Sequence, residues 1–97
     1  MEIVIGKINE QIANFLTTVS EDEQDIEICV DFVNQLIRLR SETPPPLIEM
    51  ITIIKHEKPR LYGHLKKRLS TQQYLSMLFQ IDLPYEQARV KIFSLLH

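Results

Sequence analysis

Tryptophan is missing from this chain altogether, cysteine occurs once and glycine only twice. A single cysteine, Cys29, excludes an intramolecular disulfide, so stability must come from a packed core. Two glycines, Gly6 and Gly63, leave no material for a glycine-rich phosphate loop and suit helices better than a turn-rich β fold. Glycosylation acceptors are absent too, because Asn9, Asn14 and Asn34 all lack the Ser or Thr required two positions on. No apolar run is long enough to span a membrane: the N-terminal Ile3 to Ile5 is far too short, and Glu2 stands where a signal peptide wants positive charge. These absences point to a soluble intracellular protein, nuclear or cytoplasmic, with no membrane contact.

What is present is apolar and helical in pattern. Ninety-seven residues, 44% apolar and 25% charged with a net charge of -2, fit one domain over residues 1–97 with one core and argue against disorder. The organising stretch is Pro46 to Lys55, PLIEMITIIK, where only Glu49 and Thr52 interrupt six apolar residues. Wound as a helix, it buries more than one face and needs neighbours on two sides.

The rest of the chain supplies them. Ile5, Ile8, Ile12, Phe15 and Val19 recur at spacings of three and four, predicting helix 1 over about Ile3 to Thr18. Ser20 with Glu23 reads as a capping box opening helix 2, with Glu21, Asp22 and Asp25 at the positive end of its dipole. Its buried stripe is Ile26, Cys29, Val30, Val33, Leu36 and Ile37, widened by Ile28, Phe32 and Leu39, which predicts a central position. Ser41 to Pro46, SETPPP, ends helix 2, and Thr43 with Pro44 suits the start of helix 3. The proline triplet lacks a full PxxP motif, so a turn is preferred to a proline-rich ligand.

Helix 3 is predicted to stop at about Glu57, before Pro59. Helix 4 follows over Arg60 to Leu69, with Leu61, Leu65 and Leu69 on one edge, Tyr62 beside them and Gly63 lowering its stability. Ser70 with Gln73 reads as a second capping box, opening helix 5 with Tyr74, Leu75, Met77, Leu78 and Ile81 inward and Phe79 at the margin. Asp82 and Pro84 precede helix 6, Tyr85 to Leu96. The expected fold is all-α: a compact bundle of five to six short helices around a single core.

Chemistry is sparsely provided. His56, His64, His97 and Cys29 lack the paired spacing of a zinc site, and Cys29 falls on an apolar stripe with no base placed to activate it. Helix capping accounts for the carboxylates between Glu21 and Asp25. The expectation is therefore a non-enzyme with no metal and no cofactor. The charge is divided along the chain, net -7 over residues 1–50 and net +5 over 51–97, so the halves attract each other. Lys55, Lys58, Arg60, Lys66, Lys67 and Arg68, with His56, His64 and Tyr62, form a basic group at the corner between helices 3 and 4.

INEQIANFL, DIEICV, EMIT followed by Lys55, then Ser70-Thr71 and Tyr74 resemble the N-terminal domain of transcription elongation factors and the related integrase-binding domain, over about Ile5 to Phe79. The sequence differs from that pattern in lacking a tryptophan in the last helix and in carrying SETPPP. PRLYGHLKKRLSTQQYL is similar to the harmonin-homology and TAFH domains, helical hubs that clamp an amphipathic peptide. Both resemblances imply capture of a partner segment. The integrase-binding type implies contact at interhelix loops at one end of the bundle, here Val19 to Asp22 and Arg60 to Tyr62, with Glu21 or Asp22 as the acid because Ser20 occupies the equivalent position.

The resulting expectation is an adaptor or scaffold that binds a short disordered or amphipathic segment of a protein partner. Val19, Leu61 and Tyr62 are its expected apolar contacts, Glu21 and Asp22 its acids, and Lys58, Arg60, Lys66, Lys67 and Arg68 its bases. The competing role for Leu61 and Tyr62 is closure of the core. A second reading makes residues 55–68 a nucleic-acid-binding patch. A third pairs helices 1 and 6 between two copies of the chain.

Overall fold

The computed structural model describes residues 7–39 and 44–93. Among these residues there is no strand, and the chain is all-α as expected. Helices α1 (Ile8–Thr18), α2 (Glu23–Arg38), α3 (Leu47–Glu57) and α4 (Pro59–Leu69) are followed by a single turn, α5 (Gln73–Ser76). This runs into a 3-10 turn (Met77–Gln80), and α6 (Tyr85–Phe93) completes the described fold. One contiguous cluster of buried residues draws on every helix, and a radius of gyration of 12.5 Å matches the roughly 13 Å of a single compact body this long.

α3 holds the centre. Its Leu47, Met50, Ile51, Ile53 and Ile54 are buried, and its backbone comes close to α1, α4, the 3-10 turn and α6. The two polar residues that interrupt its apolar run each find a partner: the Thr52 hydroxyl donates to Ile48 O at 2.8 Å, and one oxygen of Glu49 takes Lys91 of α6 at 3.3 Å. α2 lies to one side instead of at the centre. Its backbone approaches α4, and it reaches α1 through stacked rings, Phe15 on Phe32 with centroids 4.4 Å apart. The reason is its amphipathicity: with Glu27, Asp31 and Arg38 exposed, only one side can be buried. On that side Phe32 is a core residue, whereas Ile28, expected to widen the stripe, is 51% exposed.

Several boundaries differ from the sequence expectation. Helix 1 was expected from Ile3, but residues 1–6 lie outside the described part and α1 is described from Ile8. The Ser20–Glu23 capping box is not formed. Asp22 is the N-cap of α2 and makes no side-chain cap bond. The reciprocal contact is made by Asp25, whose Oδ2 accepts from the Ser20 N–H at 2.7 Å and from its hydroxyl at 3.0 Å. Helix 3 begins at Leu47, not at Pro44, because Pro45 and Pro46 each push the residue before them away from helical geometry; Thr43 lies outside the described residues. Pro59 does two jobs, halting α3 and standing in the first turn of α4, where its missing N–H costs nothing.

The second capping box is also absent. Ser70 terminates α4 instead, its N–H donating to Lys66 O at 3.0 Å. The expected fifth helix becomes one α turn and one 3-10 turn. With three residues per turn instead of 3.6, the inward positions rotate: Leu75 and Phe79 are buried while Met77 and Ile81 are 62% and 46% exposed. In α6, Ala88 and Ile92 face the core and Val90 faces out. Residues 94–97, the end of the expected sixth helix, lie outside the described part.

Candidate functional site

α4 positions the residues singled out in the sequence. Leu61, Leu65 and Leu69, four apart, are buried, so the side chains between them must leave by two flanks. One flank carries Arg60, His64, Lys67 and Arg68 toward α2. The other carries Tyr62 toward Phe79, whose ring centroid is 5.7 Å away.

The flank facing α2 forms one wall of an open groove of about 870 Å³. Arg60, His64, Lys67, Arg68 and Thr71 line one side, Glu21, Glu23 and Glu27 the other, and the buried Ile26 lies beneath them. Cations and carboxylates therefore face each other across the opening. At one point they meet: Arg68 makes a two-pronged ion pair with Glu27, its second contact 3.2 Å long. That pairing holds the Glu27 carboxyl below its ordinary range, chiefly through the Arg68 hydrogen bond, and raises Arg68 for the same reason. Nearby, the Ser20 backbone and hydroxyl bonds keep Asp25 ionised to lower pH than usual.

At one end of the groove the two expected loops meet. Glu21, in the loop after α1, accepts through Oε1 from the backbone N–H of Arg60 at 2.9 Å. Lys58, the residue preceding α4, provides no side-chain cap, and Pro59 has no N–H, so Glu21 satisfies the first donor of that helix. A carboxylate there also sits favourably at the positive end of the helix dipole.

The expected site residues are thus redistributed. Glu21, Arg60, Lys67 and Arg68 come together on the groove. Asp22 is exposed beside it at the start of α2, accepting from the Asp25 N–H at 3.0 Å. Lys58 is half-buried between α3 and α4, its N–H donating to Ile54 O at 2.7 Å. Tyr62 and the exposed Lys66 lie away from the groove. Val19 and Leu61, expected as partner contacts, are core residues at 5% and 0% exposure; a side chain without accessible surface has nothing to offer a partner, and core closure is the role they hold. Glu23, Ile26, Glu27 and Thr71 border the groove without having been singled out. The signal for Glu27 was present as opposite charge on the wet faces of helices 2 and 4, but nothing in the sequence set their register.

Cys29 is buried in α2, and loss of solvent, followed by the charge of Asp25, pushes its pKa up to about 12. Such a thiol packs as a small apolar group. Among the described residues no three His, Cys, Asp or Glu side chains gather to hold a metal ion, and no helix is long and apolar enough to cross a membrane. A scan against known protein families gives no match, and searches of curated proteins and of solved structures return no relative.

Proposed function

We propose that this helical domain is a non-catalytic protein interaction module, working as an adaptor or scaffold in the nucleus or cytoplasm, and that it holds a short partner segment in the groove between α2 and α4. The observation that carries the reading is the groove itself, with walls of opposite charge beside Ile26 at the end where Glu21 meets Arg60. Exposed Arg60, His64 and Lys67 select and orient the segment by charge, and the aliphatic stems of the long side chains on both walls give it apolar contact. A nucleic-acid role is less well supported, because Arg68 is engaged by Glu27 and the remaining bases are split between two flanks of α4 instead of forming one stripe.

Selection of displayed random peptides on the domain tests this. Binding of the selected peptides is expected to weaken about tenfold or more in Lys67→Glu, with the melting temperature unchanged because Lys67 is exposed. Isotherms identical for wild type, Lys67→Glu and Arg60→Glu would overturn the groove as the site.

A further inference from the structure

The other flank of α4 leads to a second surface, independent of the groove. The Lys55 ammonium lies 5.8 Å from the centroid of the Tyr62 ring, and Lys55 also borders a separate depression of about 400 Å³ where α3 meets residues 81–85. His56, Ile81, Leu83 and Tyr85 give this depression its aromatic and apolar lining, and Asp82 is the one carboxylate on it. The wall is braced. Tyr85 stacks on His56 with ring centroids 3.9 Å apart, while its hydroxyl donates to Glu57, which also pairs with Arg89 at 2.9 Å. Glu57 is therefore engaged away from Lys55. Ile81 is 46% exposed and Met77, one turn earlier, 62%. Among the described residues no carboxylate pairs with Lys55, Lys58 or Lys66, and Lys66 lies one helical turn from Tyr62.

We propose that this surface docks an acidic protein segment bearing a bulky apolar side chain. The apolar group enters the depression against Ile81, Leu83 and the His56–Tyr85 stack, and flanking carboxylates reach Lys55 and Lys66. Charge complementarity selects this occupant: among the described residues the ammonium groups here have no carboxylate partner, and the half of the chain that supplies the surface carries a net charge of +5. An acidic segment removes that imbalance while covering exposed apolar surface. A second copy of the chain is the rival occupant, because Ile28 is exposed between Glu27 and Asp31 on the outer side of α2.

The test uses the full chain and a labelled synthetic peptide in which Asp and Glu alternate with Leu and Phe, with a counterpart carrying Lys at the acidic positions. Saturable binding of the acidic peptide is expected, weakened about tenfold or more by Lys55→Glu and by Ile81→Asp. Lys67→Glu, in the α2–α4 groove, should change it less than about twofold, which separates the two surfaces. Both disruptive changes are at exposed side chains, and unchanged melting curves would show that binding alone was lost. Amide shifts should centre on Lys55, His56, Ile81 and Tyr85. Four results would overturn the proposal: no saturation at millimolar peptide, equal binding of the lysine counterpart, shifts confined to the groove, or light scattering that shows a dimer dissolved by Ile81→Asp.

Discussion

Cys29 shows how far a residue's surroundings decide its chemistry. Taken out of water among Ile26, Phe32 and Val33, its thiol rises from an ordinary value of 9.0 to about 12. At pH 8 only about one molecule in ten thousand then carries the thiolate, the form that reacts. With no exposed surface on Cys29, maleimide labelling of the native protein at pH 8 should require opening of the core and slow as stability rises, and should go to completion quickly in denaturant. The linkage has a definite sign: a raised folded value favours the native state below the unfolded value of 9.0, and this contribution is lost as pH climbs from 9 toward 12. Val19 and Leu61 make the same point for packing. Both stand beside polar or charged residues at element ends, where an apolar side chain serves equally well as a core plug or a binding anchor. Only burial distinguishes the two uses.

Among the elements, α4 offers the clearest test. Gly63 is exposed, has ordinary backbone geometry, and a Cβ added there meets nothing within 4 Å. Gly63→Ala should stabilise the protein by about 0.5 to 1 kcal/mol, because alanine has less backbone freedom to lose. A urea midpoint that stays put would contradict that gain. α3 and α4 were legible in the sequence for physical reasons: one is apolar on nearly every side, the other repeats leucine every four residues, and Pro59 separates them. The segment 73–81 was not. Leu75, Met77, Leu78, Phe79 and Ile81 follow one another so closely that the apolar pattern fits an α and a 3-10 winding alike, leaving no period to tell them apart. The candidate site was legible in part. Glu21 and Arg60 were both identified, as parts of loops expected at the same end of the bundle. Their hydrogen bond joins residues 39 positions apart, and no local pattern encodes such a pairing.

For the molecule as a whole, size sets the margin. A domain of 11.4 kDa with one core is stable by about 5 to 15 kcal/mol. Leu61, with no exposed surface, is expected to cost about 2 to 5 kcal/mol when replaced by alanine, a large part of that total. Leu61→Ala should consequently lower the urea midpoint steeply with little change in slope; an unchanged midpoint would contradict its place in the core. The Glu21 contact bears on how the chain reaches this state. The first N–H that α4 presents is satisfied by an acid that α2 and α3 separate from it along the chain, so the cap is a tertiary contact and not a local one. Its first turn gains this cap only when the loop after α1 lies against it, which couples one helix end to a long-range contact. An isolated α4 peptide would lack that cap, and its first turn would be frayed where the folded chain holds it.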